Sequence, residues 1–309
     1  MPDPWRSRAG ARRRESLALG RGDRVSDLRY AAAMFLNGRV GDDPDTEARD
    51  LIAAVLDKPR FWPSLHPGVR LDEAAVLRIC EATFARVRGA PFAYAVGRAA
   101  FRHLTLDVDD RVLIPRQETE ALVEVVLEWA AARGPGGLAI DIGTGSGAIA
   151  LALANEGAFD RVIATDVSTG AVKMARANAE RLAGALRAPV EIRQGALIAP
   201  VRGEVARVVV SNPPYIAYNE MQELPSSVRD WEPPVALYAG DGGMAVIAAL
   251  AREAATVLEP GGLLAMEIDC RRGAACAELL RAQGCYHDVR VRPDLTGRDR
   301  VLTATRQDG

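Results

Sequence analysis

The sequence is poor in the residues that build metal clusters and disulfide frameworks. Its 309 residues include only four cysteines and three histidines. Cys80, Cys270, Cys276 and Cys285 form no CxxC pair, and the histidines lie far apart along the chain. Zinc sites and disulfide scaffolds both depend on such ligands or pairs. We therefore expect no metal site, and thiols that stay reduced as in a cytoplasmic protein.

Long apolar runs and an excess charge of one sign are missing as well. No apolar run approaches the roughly 18 residues that a membrane span requires. The formal net charge of -2 gives no global attraction to nucleic acid or to an anionic membrane surface. The sequence therefore predicts a soluble, monomeric cytoplasmic protein that recognises its partner through a local site, with no direct nucleic-acid or membrane contact.

The first 24 residues differ from the rest in composition. Arginine is frequent there and large apolar residues are few. Such a segment buries too little apolar surface to offset the entropy of folding. Residues 1–24 are predicted to form a disordered tail, and an Arg-rich organelle transit peptide is the alternative.

Apolar residues recur at helical spacing from residue 25 to residue 90. Ser26 is a suitable N-cap for the first helix, whose apolar face would include Leu28 and Met34. Residues 25–90 carry no cluster of acid, base and nucleophile, so we interpret them as a helical bundle for substrate docking. Residues 91–112 alternate between apolar and polar and predict a β-hairpin linker.

Strands and helices alternate in the remainder, residues 113–309. Predicted strands cover 138–141, 162–166, 190–193, 205–211 and 262–268, and predicted helices cover 147–155, 169–183, 243–258 and 274–283. This alternation predicts an α/β fold with a doubly wound, mostly parallel sheet. Two further strands, 286–292 and 300–305, are joined by a short polar loop and must therefore pair antiparallel.

Glycines cluster between a strand and a helix in the segment DIGTGSG. Gly143, Gly145 and Gly147 would let a ligand approach the backbone at a helix N-terminus. Asp166 follows Asp141 by 25 residues at the end of the next strand, where a carboxylate can accept from both ribose hydroxyls. A tight turn with a solvated aspartate is the alternative. A nicotinamide dinucleotide and S-adenosylmethionine both suit such a site, and the C-terminal antiparallel pair favours S-adenosylmethionine because class I methyltransferases end their sheet in this way.

The segment SNPPYIAY follows the predicted strand 205–211. Proline restrains its own φ and keeps the preceding residue extended. Asn212 and the Pro213 carbonyl would then be two fixed acceptors, which suit an –NH2 group and the charge that develops on its nitrogen during methyl transfer. Pro214 stiffens the turn and Tyr215 would add a flat wall. A rigid turn without chemistry is the alternative.

These segments resemble the HemK or PrmC family of protein N5-glutamine methyltransferases, which methylate the glutamine of the GGQ motif in peptide chain release factors. The resemblance extends over nearly everything after residue 25 and includes PRQETE, DIGTGSG, SNPPYI and WEPPVALYAGDGG. NPPY is shared with methyltransferases that act on exocyclic amines of DNA and RNA. PRQETE and WEPPVALYAGDGG are the segments that indicate glutamine.

The resemblance implies a class I S-adenosylmethionine-dependent methyltransferase whose substrate is a release factor. The implied cofactor-binding residues are Asp141, Gly143, Thr144, Gly145, Ser146, Gly147, Asp166, Leu197 and Asn212. The implied substrate-binding residues are Asn212, Pro213, Pro214 and Tyr215, of which Asn212, Pro213 and Tyr215 are the candidate catalytic residues.

Three positions depart from the family pattern. Gln117 and Asp269 stand where proline and glycine are usual, and Ala196 replaces an acid that in many relatives could accept from the adenine amino group. Glu232 is interpreted as an anchor for a loop over the site rather than as a base. The alternative functions are N5-glutamine methylation of a ribosomal protein, methylation of an exocyclic amine in DNA or RNA, and cofactor binding without catalysis.

Overall fold

The computed structural model describes residues 22–41, 43–294 and 296–308, so the predicted tail lies almost entirely outside the described residues. The chain divides into two compact units. The first unit contains the described residues up to Arg98 together with Ser226–Trp231, and the second contains Ala99–Pro225 and the chain from Glu232 onward. The division at Arg98 falls inside the segment that the sequence assigns to a linker.

The first unit is helical. Its longer helices are α1 (Val25–Leu36), α2 (Pro44–Val55) and α3 (Glu73–Val87), and its short helical turns are Trp62–Leu65, Phe92–Val96 and Ser226–Arg229. Asp43 and Asp72 cap α2 and α3 by accepting from backbone N–H groups of the first turn. Leu28, Leu51 and Ile79, one from each long helix, are fully buried in a shared core.

Helix α1 differs in two details from the sequence prediction. It begins at Val25, two residues earlier than an N-cap at Ser26 implies, and Arg24 occupies the N-cap position. The Ser26 hydroxyl instead contacts the neighbouring Asp27. Met34 is 60% exposed, because burying Val25 and residues at helical spacing from it turns position 34 towards solvent.

A seven-stranded sheet forms the centre of the second unit. Its strands are β3 (Leu138–Ile142), β4 (Arg161–Asp166), β5 (Val190–Gln194), β6 (Ala206–Ser211), β9 (Leu258–Glu267), β10 (Tyr286–Pro293) and β11 (Asp299–Arg306). They lie in the order β10-β11-β9-β6-β3-β4-β5, and the last five of these are mutually parallel. Strand β11 pairs antiparallel with both β9 and β10. The predicted fold class and its antiparallel C-terminal pair are confirmed.

Helices cover both faces of the sheet. They are α4 (Gln117–Ala131), α5 (Ala148–Glu156), α6 (Thr169–Leu182), α7 (Ala245–Glu253) and α8 (Gly273–Ala282), with a short turn at Pro234–Leu237. Helix α7 is shorter than the predicted 243–258, because the chain tightens into a 3-10 turn after Glu253 and enters β9 at Leu258. Two small paired sheets, β1 (Arg98–Phe101) with β2 (Leu104–Asp107) and β7 (Ile216–Ala217) with β8 (Tyr238–Ala239), complete the unit.

Successive side chains of the central strands point to opposite faces of the sheet, and each face forms its own core. In β6, Val208 and Val210 face one core, which contains α4 and α5 residues, and Val209 faces the other, which contains α7 and α8 residues. Both faces are buried, which explains why the parallel strands are nearly continuous apolar runs. The ends of these strands are therefore the positions where polar residues can lie. No helix among the described residues is both long and apolar enough to cross a membrane.

Candidate active site

A cavity of about 550 Å³ lies within the second unit, at the carboxyl ends of β3, β4 and β6. This is the edge at which open α/β sheets bind ligands. Of the residues predicted from the sequence, those lining the cavity are Gly143, Thr144, Gly145, Ser146, Asp166, Leu197, Asn212, Pro213 and Pro214. Asp141, Gly147 and Tyr215 lie behind this lining rather than in it.

The glycine loop follows β3 and is tied to β4. The N–H groups of Gly143 and Thr144 both donate to the Thr165 carbonyl at 2.9 Å. Gly145 has a φ of +57°, a left-handed conformation, and a Cβ there would meet nothing within 4 Å. The loop therefore leaves open space above its backbone. Gly147 is the N-cap of α5 and has a φ of +89°, a left-handed conformation that favours glycine whatever the surrounding space.

Asp141 is fully buried beneath this loop. Its Oδ2 accepts from Thr144 Oγ1 at 2.6 Å and from the Ala150 N–H at 3.2 Å. Its Oδ1 has no hydrogen-bond partner in the described part of the chain. Burial, with a smaller contribution from the nearby charge of Asp166, raises the pKa of Asp141 to about 7. Asp141 thus joins the glycine loop to α5 rather than lining the cavity.

Asp166 ends β4 and lines the cavity. Its two carboxylate oxygens accept from the N–H groups of Gly145, at 2.9 Å, and Ser168, at 2.8 Å. Burial raises its pKa despite these bonds. Each carboxylate oxygen can accept a further hydrogen bond, so the geometry leaves Asp166 able to receive two hydroxyl donors.

Asn212 follows β6 and contacts a residue that the sequence reasoning did not select. Its Nδ2 donates to Thr119 Oγ1 at 3.1 Å, and Thr119 Oγ1 donates to Glu267 Oε2 at 2.6 Å. This assignment leaves Asn212 Oδ1 available as an acceptor. Thr119 lies in the first turn of α4, within PRQETE, and Glu267 is the last residue of β9.

Tyr215 does not line the cavity and packs against the core that contains α7 and α8. Its hydroxyl donates to Glu267 Oε1 at 3.2 Å, and burial raises its pKa. Two other tyrosines do line the cavity, namely Tyr218 and Tyr238, which stack with ring centroids 5.9 Å apart. Tyr218 is 63% exposed and was not selected from the sequence.

Arg116 and Glu232 form an ion pair beside the cavity. Arg116 Nη2 lies 2.5 Å from Glu232 Oε1, and the Glu232 side chain is only 1% exposed. Burial raises the pKa of Glu232, and the arginine charge opposes that rise. The pair joins the residue before α4 to the segment that supplies Pro233 and Pro234 to the cavity lining. This position agrees with the interpretation of Glu232 as a loop anchor.

The three departures from the family pattern have simple structural settings. Gln117 begins α4 after an extended Arg116. Asp269 has a φ of -68°, which any residue adopts, and it accepts from the Arg271 N–H at 2.9 Å. Ala196 lines the cavity beside Leu197, whose φ of +48° is unusual for a leucine.

The cavity fits S-adenosylmethionine. Side chains added at Gly143 or Gly145 would enter open space, so a ligand can lie directly against this backbone. The N-terminus of α5 follows the loop and favours a carboxylate, while Asp166 accepts from hydroxyls. Leu197 and Val167 add apolar surface to the same lining. The donor and acceptor set therefore matches an amino acid joined to a nucleoside.

Comparison with known proteins defines the class. The family model "Methyltransferase small domain" matches residues 117–225. The solved structure of a methyltransferase from Pyrococcus furiosus superposes with a TM-score of 0.51 at 22% identity, covering 68% of this chain and 92% of that one. Together, fold and site define a class I S-adenosylmethionine-dependent methyltransferase.

Sequence relatives define the family more narrowly. The release factor glutamine methyltransferase of Moorella thermoacetica is 42% identical over 86% of this chain and 92% of the relative. That of Deinococcus radiodurans is 36% identical over 92% of this chain and 99% of the relative. The chain belongs to the release factor glutamine methyltransferase family.

Proposed function

We propose that the protein transfers the methyl group of S-adenosylmethionine to the side-chain amide nitrogen, N5, of the GGQ glutamine in a peptide chain release factor. The observation that carries this proposal is the position of Asn212. It lines the same cavity as the glycine loop and Asp166, and its Nδ2 donates to Thr119, which leaves Oδ1 without a hydrogen-bond partner among the described residues. An acceptor for an amide N–H therefore lies beside the cofactor-binding residues.

The cofactor half of the cavity is assigned to the loop after β3 and to the end of β4. Gly143, Thr144, Gly145 and Ser146 would hold the methionine end, and Asp166 would accept from the ribose hydroxyls. Asp141 and Gly147 would act from behind this surface, through Thr144 and through the start of α5. Leu197 would contact the cofactor as an apolar neighbour.

The acceptor half is assigned to the NPPY segment. Asn212 Oδ1 and the Pro213 carbonyl would accept the two hydrogens of the glutamine amide, with Pro214 beside them in the lining. An amide nitrogen is a poor nucleophile because its lone pair is delocalised. Two fixed acceptors orient the lone pair and stabilise the positive charge that forms on nitrogen, without a strong base.

The bound cofactor supplies an electrophilic methyl group on a positively charged sulfur. Asn212 and Pro213 hold the amide nitrogen in position for this group, and the proton that the nitrogen then loses can pass to water. Tyr215 supports the segment through its bond to Glu267. Tyr218, exposed at the cavity, offers the flat surface that the sequence assigned to Tyr215.

Family membership supports glutamine over the other acceptors. The curated relatives are named for release factors, and the match extends over most of both chains. The formal net charge of -2 gives little support to a nucleic-acid substrate. Action on a release factor implies a cytoplasmic location, and we propose that the protein acts there as a monomer whose first unit contributes to substrate docking.

The direct test is methyl transfer to a purified release factor. The protein is incubated with radiolabelled S-adenosylmethionine and either the wild-type release factor or a variant whose GGQ glutamine is alanine. We expect label only in the wild-type factor, at the amide nitrogen of that glutamine. Label that persists in the alanine variant, or label found in nucleic acid or a ribosomal protein instead, would remove the proposal.

A second test addresses Asn212. The variant Asn212→Ala is expected to lose turnover while keeping measurable affinity for S-adenosylmethionine, because the glycine loop and Asp166 are unchanged. Asn219→Ala makes the same chemical change at an exposed site a few residues along the chain and should keep full activity. Normal turnover in Asn212→Ala would refute the role given to its side chain.

A further inference from the structure

A buried chain of hydrogen bonds ends at the Asn212 side chain. It begins at the Glu267 carboxylate, passes through the Thr119 hydroxyl and reaches the Asn212 amide, with the contacts 2.6 Å and 3.1 Å long. Glu267 and Thr119 are 1% and 4% exposed. We call these three side chains the amide relay.

The direction of every bond in the amide relay follows from the Glu267 carboxylate. An ionised carboxylate only accepts, so it takes the single hydroxyl hydrogen of Thr119. Thr119 Oγ1 is then left with lone pairs alone and must accept from Asn212. This requirement turns the –NH2 end of the Asn212 amide towards Thr119 and leaves Oδ1 for the cavity.

The opposite arrangement would disable the site. Were Glu267 to donate to Thr119, the Thr119 hydrogen would be free to donate to Asn212, and the amide would turn over to present Oδ1 to it. The –NH2 end of Asn212 would then meet the –NH2 of a substrate amide, and two donors repel one another. A carboxamide rotated by 180° occupies nearly the same volume, so packing alone does not select the productive orientation.

The groups around Glu267 favour an acceptor at that position. Tyr215 donates its hydroxyl to Oε1, so both carboxylate oxygens receive a donor. Burial raises the pKa of Glu267 and the negative charge of Glu118 adds to the rise, whereas the bonds from Thr119 and Tyr215 and the positive charge of Arg300 lower it. The two hydroxyls and the Arg300 charge act against this rise, and both hydroxyls donate to the carboxylate.

We propose that Glu267 and Thr119 are positioning residues that set the orientation of the Asn212 amide and thereby make its Oδ1 the acceptor for the substrate –NH2 group. This inference extends the proposed function, on which its catalytic consequence rests. The orientation itself is a property of the protein alone. It can therefore be tested without any substrate.

The first experiment observes the Asn212 side-chain –NH2 by nitrogen-15 NMR, with the signal assigned by its absence in Asn212→Ala. In the wild-type protein and in Thr119→Ser, which keeps the hydroxyl, we expect slow hydrogen exchange at this group. In Thr119→Val, which has nearly the same shape and no hydroxyl, the protection should be lost. Equal exchange in all three proteins would overturn the amide relay, whatever the enzyme methylates.

The second experiment measures methyl transfer to the release factor. Thr119→Val is expected to lower kcat about tenfold, the equivalent of one lost hydrogen bond, with the Kd for S-adenosylmethionine changed less than about threefold. Thr119→Ser should stay near the wild-type kcat. Thr303→Val makes the same substitution at a buried position in β11, outside the amide relay, and should leave kcat unchanged.

A pH profile separates orientation from simple structural support. Wild-type kcat should fall at low pH as Glu267 takes up a proton, and Glu267→Gln should have a low kcat without that acidic limb. An unchanged limb in Glu267→Gln, or a full kcat in Thr119→Val, would refute the catalytic part of the inference. Absence of any wild-type transfer would instead remove the proposed function, and the NMR experiment would still decide the orientation.

Discussion

Replacing Asp141 by asparagine should remove a pH dependence from the stability of the second unit. Burial raises the pKa of Asp141 from 3.8 to about 7 in the folded protein. Between these two values the folded protein holds a proton that the unfolded chain has released. The free energy of unfolding therefore falls as pH rises through this window, and it levels off above about pH 7.

The size of this effect follows from the pKa difference. Each unit of difference corresponds to about 1.4 kcal/mol, so the contribution between pH 5 and pH 7 is about 3 kcal/mol. Asparagine is neutral at every pH in this range. Its side-chain oxygen can still accept from Thr144 Oγ1 and the Ala150 N–H, the two groups that donate to Asp141 Oδ2. Its –NH2 would occupy the position of the unpartnered Oδ1, at a cost that does not change with pH.

The assay is urea unfolding of the wild-type protein and Asp141→Asn at several pH values from about 5 to about 8. A brief pulse of hydrogen exchange on the β3 peptide reports the unfolded fraction of the second unit. We expect the stability difference to shift by about 3 kcal/mol in favour of the variant across this range. Parallel pH profiles, or a carbon-13 NMR titration that shows the Asp141 carboxyl ionising near 4, would refute the reasoning.

Two further predictions concern the cavity. Asp166→Ala should raise the Kd for S-adenosylmethionine about a hundredfold, because two hydrogen bonds to a charged acceptor are lost. Calorimetric titration measures the Kd, and an unchanged value would contradict the assignment of Asp166 to the ribose. Arg116→Met should cost about 3 kcal/mol by leaving the buried Glu232 charge unpaired, whereas the double variant Arg116→Met with Glu232→Gln should recover most of that loss. Denaturant unfolding tests the pair, and equal losses in the single and double variants would show that the ion pair is not the cause.

Several features of the fold were predictable because they depend on local pattern. Apolar runs such as Val208 to Val210 and the alternation of strands with helices led to the parallel sheet, and the short loop before β11 led to the antiparallel pair. The glycine loop and Asp166 were predictable because the ends of neighbouring parallel strands meet at one edge. Helix ends were less well predicted, as at Ser26, because tertiary burial of Val25 outweighed the capping preference.

The sequence by itself determined the α/β class and the carboxyl-end location of the cavity, since both follow from the alternation of strands and helices, and the stiffness of adjacent prolines led to the proposed role of Asn212 as an acceptor. Only the tertiary structure decided which way that acceptor is held. Thr119 and Glu267 are 148 residues apart in the chain, and Asn212 is 93 residues from Thr119. A hydrogen-bond direction set across such separations leaves no periodic signal, because it arises only when α4, β6 and β9 pack together.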